Sequence, residues 1–116
     1  IIIFNYFMAV KSISSLKDFN KFIENNYSSL IIVYFYESVE WCEDLTDKLD
    51  KVFQGNCNGN TKILKIDLGK LSNKSIISEC NINSYPIIRL YKYSNAFQEI
   101  YCTYPNVDEI ISSFLN

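Results

Sequence analysis

Four cysteines are the side chains of this 116-residue sequence best suited to covalent chemistry: Cys42, Cys57, Cys80 and Cys102. No two of them form a C-x-x-C pair. Structural zinc usually needs two such close pairs, often with histidine, so the spacing argues against a zinc site. Cysteine is also a small apolar side chain that is commonly buried, and the sequence favours that structural role for Cys57, Cys80 and Cys102.

Other chemistries are excluded by composition. The chain has no histidine, which removes Ser-His-Asp and Cys-His catalysis, imidazole metal ligands and imidazole acid–base chemistry. A net charge of −2 provides no basic surface for a phosphate backbone, so we expect no nucleic-acid partner. No motif indicates a cofactor. With 48% apolar and 16% aromatic residues, the chain is typical of one compact folded domain.

Alternating strand-like and helix-like segments must position the cysteines. Residues 6–13 predict a strand, and Ser15 is placed to cap a helix whose apolar face holds Leu16, Phe19 and Ile23. The uncharged run Leu30–Tyr36 predicts a strand buried on both faces. After Trp41-Cys42, acids at 43 and 44 open a second helix, with apolar residues at 45, 49, 52 and 53.

The second half continues the alternation. We expect a loop over 55–60, a strand over 62–67, a short helix over 74–80, and strands over 87–93 and 97–101. The last two read as a hairpin whose turn lies at Ser94-Asn95, with Asn95 at positive φ. Asn106 is placed to cap a final amphipathic helix. This order predicts an α/β domain with a mixed sheet and helices on both faces.

Residues 1–9 are set apart as an extension of a single domain over 10–116. They are mostly apolar but too short to span a bilayer, which needs about 20 residues. They fit the remnant of a signal peptide or anchor, and equally a half-buried strand, because Phe4, Tyr6, Met8 and Val10 alternate. Met8 could also be a natural start. Cytoplasm and secretory-pathway lumen therefore both stay open.

Five segments, in order, resemble the thioredoxin fold family, including the thioredoxin-like domains of protein disulfide isomerases. They are Leu30–Tyr36, Glu40-Trp41-Cys42, Lys65-Ile66-Asp67, Ser78-Glu79-Cys80-Asn81-Ile82 and Ser84-Tyr85-Pro86-Ile87. The resemblance covers about 10–115. It implies the thioredoxin fold, a central mixed sheet of 4–5 strands flanked by about four helices, with Cys42 as the candidate catalytic nucleophile.

The motif departs from the family's W-C-x-x-C, in which a second cysteine one helical turn later resolves the mixed disulfide. Leu45 stands at that position, and Tyr34 takes the place of the family's buried acid. Nearby acids at 37, 40, 43 and 44 disfavour a thiolate, so we expect a Cys42 thiol less acidic than in working thioredoxins.

The spacing leaves a second alignment open. Val33 and Cys42 are about two positions further apart than the family pattern allows. Either residues 37–39 bulge, or the alignment is offset and Cys42 takes the resolving position, with Val39 replacing the nucleophile. The Trp41-Cys42 match is preferred. In both alignments only one thiol of the pair survives.

Pro86 matches the family's cis-proline, and we expect a cis peptide bond before it. The resemblance implies that Tyr85 offers backbone hydrogen bonds to an extended polypeptide segment. Trp41, Tyr85 and Pro86 are therefore the candidate binding residues, with Tyr36 bordering the same groove.

Two functions follow. The favoured one is a redox-degenerate module that binds a polypeptide through this groove. The alternative is a monothiol oxidoreductase using Cys42, with glutathione, another external thiol or another cysteine of the chain resolving the intermediate. An enzyme activity thus stays undecided at this stage, as does the oligomeric state.

Overall fold

A computed structural model describes residues 10–38, 46–51 and 61–102. They form one sheet of five strands: β1 (Val10–Ile13), β2 (Leu30–Tyr36), β3 (Thr61–Asp67), β4 (Ile87–Lys92) and β5 (Asn95–Tyr101). The strand order is β1-β3-β2-β4-β5. β1 and β2 run parallel to β3, β4 runs antiparallel to β2, and β5 antiparallel to β4. The predicted mixed α/β sheet is confirmed.

The first helix, α1 (Leu16–Asn25), begins where the sequence predicts. The hydroxyl of Ser15 accepts a hydrogen bond of 3.1 Å from the backbone N–H of Asp18, which satisfies one of the donors left open in the first helical turn. Phe19 and Ile23 are buried, as their spacing on one helical face requires. This helix therefore covers the sheet with the face that the periodicity indicates.

The central strand β2 has two buried faces, as predicted. Ile31, Val33 and Phe35 belong to one apolar cluster, which also holds Phe19 of α1. Ile32 and Tyr34 belong to a second cluster on the other face. Parallel sheets covered on both faces need such continuous apolar strands. The two clusters are called the first and second core below.

The segment after β3 is tied to the sheet by a buried amide. β3 begins one residue earlier than expected, and a 3-10 turn (Leu71–Asn73) leads directly into α3 (Lys74–Glu79). The Asn73 side-chain nitrogen donates to the carbonyl oxygens of Ile13 (3.3 Å) and Asp67 (2.9 Å). One side chain thus joins the ends of β1 and β3.

The β4–β5 hairpin forms, but its turn differs from the prediction. Positive φ occurs at Tyr93 (54°) and Ser94 (63°), whereas Asn95 already begins β5. Two consecutive positive φ values are those of a type I′ turn, whose twist matches that of the flanking strands. Asn95 instead donates its side-chain N–H to the carbonyl of Tyr93 at 3.1 Å. The expectation of positive φ at Asn95 was therefore wrong.

Several predicted segments lie outside the described residues: residues 6–9 of the first strand, the loop over 55–60 and the C-terminal helix. Residues 46–51 are helical and are called α2. The described part thus holds three α-helices, against about four expected. No helix within it is long and apolar enough to cross a membrane.

Candidate functional site

The carboxyl ends of β2 and β3 meet the start of β4 at one edge of the sheet. Parallel pairing sets Tyr36 beside Asp67, and antiparallel pairing sets Phe35 beside Ile87. The segments that leave these strands therefore gather at this edge. We call it the cis-proline edge and define it by Glu37, Ser38, Asp67, Gly69, Tyr85 and Pro86.

The Tyr85–Pro86 peptide bond is cis. Pro86 is buried, while the side chain of Tyr85 is 36% exposed. The negative charge of Glu37 is the main cause that raises the pKa of the Tyr85 phenol, and partial desolvation and a hydrogen bond to the Glu37 carboxylate add to it. Two of the predicted binding residues thus lie at this edge, and the ring of Tyr85 is exposed there.

Asp67 fixes the loop that follows β2. Its two carboxylate oxygens accept hydrogen bonds from the Ser38 hydroxyl (2.8 Å) and from the backbone N–H of Gly69 (2.9 Å). A methyl group at Gly69 would lie 3.1 Å from both the Glu37 side chain and the Asp67 carboxylate. Glycine therefore allows the two acidic side chains to approach the turn from either side.

Tyr34 is fully buried. Its hydroxyl lies 3.1 Å from the hydroxyl of Thr46 in α2, with either atom able to donate. Its ring stacks on that of Tyr36 at 4.9 Å between centroids. Burial, and then the charges of Asp67 and Asp50, raise the pKa of Tyr36. The Tyr34 hydroxyl is thus a buried polar group that contacts α2 from within the second core.

A second link joins α2 to the sheet. The ammonium group of Lys65 in β3 lies 3.1 Å from the carboxylate of Asp50, with both side chains about a quarter exposed. Leu49 of the same helix is fully buried in the second core. In the described residues 46–51, burial of Leu49 and polar contacts of Thr46 and Asp50 therefore hold this helix to the sheet.

Cys102 lies next to the cis-proline edge, which the sequence analysis missed. Its backbone N–H donates to the carbonyl of Pro86 at 3.3 Å, and its half-buried side chain packs against the second core. The signal lay in the order of the strands. Cys102 directly follows β5, β5 pairs antiparallel with β4, and β4 begins directly after Pro86. It is the one cysteine that the structure brings to a predicted site residue among the described parts of the chain.

Cys80 occupies a different environment, beside the first core. Burial is the main cause that raises the pKa of its thiol, opposed by the charge of Arg89 and a hydrogen bond with Tyr91. Arg89 also donates to the Cys80 carbonyl at 2.6 Å. Such a thiol stays protonated at neutral pH and is a poor nucleophile. This agrees with the structural role predicted for Cys80.

The remaining predicted site residues, Trp41 and Cys42, lie outside the described residues, as do Leu45 and Cys57. Within 10–38, 46–51 and 61–102, no three histidine, cysteine or acidic residues are grouped so as to hold a metal ion.

Comparison with known proteins gives one family. The thioredoxin family model matches residues 10–115. The chain belongs to the thioredoxin family. No protein with a curated description matches the sequence significantly.

Solved thioredoxin structures share the fold at low identity. Short-form thioredoxin f from spinach chloroplast superposes with a TM-score of 0.74 at 17% identity, over 91% of this chain and 93% of its own. Oxidised thioredoxin O2 from Arabidopsis thaliana gives 0.76 at 13% identity, over 94% and 96%. Thioredoxin f2, crystallised in a complex with ferredoxin:thioredoxin reductase, gives 0.74 at 14% identity, over 93% and 96%. At these identities the likeness establishes the thioredoxin fold.

Proposed function

We propose that this thioredoxin-like domain is a redox-degenerate module that binds a polypeptide in extended form at the cis-proline edge. The observation that carries the proposal is the exposed Tyr85 directly before the cis Pro86. Trp41 is the third binding residue in this proposal, contributed by the segment before α2.

Strand-like pairing is the recognition chemistry. Tyr85 precedes β4 and lies outside it, and in this proposal its backbone groups pair with the added strand. Its ring supplies an amphipathic contact, which is the type of side chain enriched in binding surfaces. Thioredoxin f2, which shares this fold, has been crystallised with a protein partner, and binding of a protein surface is compatible with the same edge here.

The acidic surroundings favour binding over thiol catalysis. Glu37 and Asp67 both face the turn at Gly69, and their charges raise the pKa of neighbouring phenols. The same negative field disfavours a thiolate at this edge. Leu45 in the resolving position and Tyr34 in place of the buried acid remove two further requirements of dithiol turnover.

The test is the binding of cysteine-free peptides, selected from a displayed random library, by the reduced protein. We expect Cys42→Ser to bind as the parent does, because no disulfide forms. Tyr85→Ala should weaken binding at least about fivefold, as for loss of an interfacial aromatic anchor. Tyr27→Ala is the matched control, since Tyr27 is also exposed (55%). It precedes the amino end of β2, whereas the cis-proline edge lies at the carboxyl end of that strand.

Two results would contradict the binding module. One is an equal loss of affinity in the Tyr85 and Tyr27 variants. The other is that no cysteine-free peptide is selected, while a parallel library of peptides that contain cysteine or a disulfide is captured by the parent protein and not by Cys42→Ser.

The second candidate function is a monothiol oxidoreductase, and the position of Cys102 beside Pro86 favours it. The Cys42 thiolate would attack a substrate disulfide, forming a mixed disulfide and releasing one substrate thiol. A thiolate from Cys102, or from glutathione, would then attack the Cys42 sulfur and release the second substrate thiol. With Cys102 the protein ends as an internal disulfide, so the two electrons lost by its thiols reduce the substrate.

Single-turnover reduction of a disulfide peptide by the reduced protein separates these routes. If Cys102 resolves the intermediate, Cys102→Ser accumulates the mixed disulfide, whereas Cys80→Ser, the control with another half-buried cysteine, releases both thiols. If glutathione resolves it, both variants depend equally on added glutathione. Absence of thiol release from the parent protein, with or without glutathione, rejects this candidate.

A further inference from the structure

Two Asn-x-Ser motifs play no part in the proposed function: Asn26-Tyr27-Ser28 and Asn73-Lys74-Ser75. Each matches the acceptor pattern for an N-linked oligosaccharide, in which the middle residue is not proline. The pattern alone does not distinguish the two asparagines. They differ in burial and in the hydrogen bonds that their side-chain amides make.

Asn73 lies inside the protein. Its side chain is fully buried, although Ser75 of the same motif is exposed. The amide nitrogen carries two hydrogens, and it donates to two carbonyl oxygens, those of Ile13 at 3.3 Å and Asp67 at 2.9 Å. A sugar in place of either hydrogen would break a hydrogen bond and would lie where the ends of β1 and β3 meet. The folded chain therefore excludes a glycan at Asn73.

Asn26 lies at the end of α1, directly after the last helical residue. It is half-buried, and Tyr27 and Ser28 of its motif are exposed. Its amide nitrogen donates to the carbonyl of Phe22 at 2.9 Å, and within the described segments this is the one acceptor it has. The backbone turns there, with the Ser29 N–H donating to the Asn26 carbonyl at 3.0 Å. One of the two amide hydrogens of Asn26 is therefore available for replacement.

We propose that Asn26 is an acceptor for an N-linked oligosaccharide in the secretory-pathway lumen, one of the two compartments that the sequence leaves open. The donor is an oligosaccharide joined to a lipid through pyrophosphate. The amide nitrogen attacks the first sugar carbon, so that a C–N bond forms, the C–O bond to pyrophosphate breaks and the nitrogen gives up one proton. Nothing is oxidised or reduced. The nitrogen keeps its other hydrogen, and with it the bond to the Phe22 carbonyl.

The attachment point is remote from the cis-proline edge. Asn26 precedes the amino end of β2, whereas the cis-proline edge lies at the carboxyl end of that strand. The seven residues of β2 span about 20 Å. Glycosylation and polypeptide binding thus concern opposite ends of the central strand.

Secretion of the full chain from a eukaryotic cell, behind an added cleavable signal peptide, tests the assignment. We expect the secreted protein to carry one glycan that peptide N-glycosidase removes. This enzyme converts the modified asparagine to aspartate, so mass spectrometry of the digested protein locates the site. It should find aspartate at position 26 and unchanged asparagine at position 73.

Serine variants remove each motif without touching either asparagine or its hydrogen bonds. Ser28→Ala should abolish the glycan, because the acceptor pattern requires a hydroxyl at this position, whereas Ser28→Thr should keep it. Ser75→Ala is the matched control, since Ser75 is exposed as Ser28 is, and it should leave the glycan in place.

Three results would overturn the proposal: a secreted protein without a glycan, a glycan on Asn73, or loss of the glycan in Ser75→Ala. Peptide binding at the cis-proline edge is measured separately on the unglycosylated Ser28→Ala protein, so the two proposals fail independently.

Discussion

The hydroxyl groups of Tyr34 and Thr46 lie 3.1 Å apart in the second core. Tyr34 is fully buried and Thr46 nearly so, so their contact is a polar link between β2 and α2 within apolar surroundings. A hydroxyl buried without a partner is costly, whereas a bonded pair is not. The link therefore fixes how α2 sits on the sheet.

The first prediction concerns this link. Tyr34→Phe should lower the free energy of unfolding by about 1–2 kcal/mol, because the Thr46 hydroxyl loses its buried partner. Thr46→Val removes the same contact from the other side and should also lower the free energy of unfolding. In the double variant neither hydroxyl of this pair remains. Its loss of unfolding free energy should therefore be clearly smaller than the sum of the two single losses, and a double-mutant cycle measured by urea unfolding would show this. Strict additivity would mean that the two hydroxyls are not coupled.

The second prediction compares two ion pairs of unequal exposure. Arg89 has a side chain 7% exposed and binds Glu99, while Lys65 and Asp50 are each about a quarter exposed. Glu99→Ala leaves the guanidinium buried without its carboxylate and should cost about 2–3 kcal/mol, discounted because Glu99 itself is 38% exposed. Asp50→Ala should cost below about 1 kcal/mol. Chemical denaturation measures both, and equal losses would contradict the argument.

The third prediction concerns Tyr85. Because the charge of Glu37 is the main cause that raises the pKa of this phenol, Glu37→Gln should move that pKa back towards the ordinary tyrosine value. Asp67→Asn is the control, since Asp67 acts on the pKa of Tyr36. Site-resolved NMR titration of labelled tyrosine rings follows both groups. A Tyr85 pKa that falls equally in both variants would show that the field is not local.

The fourth prediction is a loss of stability at alkaline pH. Burial raises the pKa of the Cys80 thiol and of the Tyr36 and Tyr91 phenols. The folded state then holds these protons more tightly than the unfolded state. Their contribution is complete below the unfolded pKa values and is lost as pH rises through the folded ones. The free energy of unfolding, measured with urea, should decline from about pH 8.5 upwards. The decline should be less steep in Tyr91→Phe, and equal slopes in the two proteins would contradict the assignment.

The sequence was sufficient for the fold because its signals were local or periodic. The unbroken apolar run of β2 predicts a strand covered on both faces, and Ser15 marks the start of α1 by chemistry that acts over three residues. The order of these elements then leaves few topologies. The family resemblance and the sheet agree for that reason.

The site was predictable only in part, because its contacts join distant segments. Pro86 and Tyr85 are recognised from one short motif, whereas the contacts of Glu37 with Tyr85 and of Cys102 with Pro86 depend on how strands far apart in sequence are paired. The turn at Tyr93-Ser94 was missed for another reason. Residues that rarely adopt positive φ occupy it, so the residue preference for Asn95 gave the wrong position.

The pairing of β2 has a consequence for how the strand finds its place. Side chains on both faces are apolar, so hydrophobic alternation alone does not distinguish the native alignment from one shifted by a single residue. A shift of one residue would turn Tyr34 towards the first core, away from Thr46. The contact between the two hydroxyl groups would then be lost within the apolar core. Tyr34 thereby distinguishes the native alignment of the central strand from a shifted one.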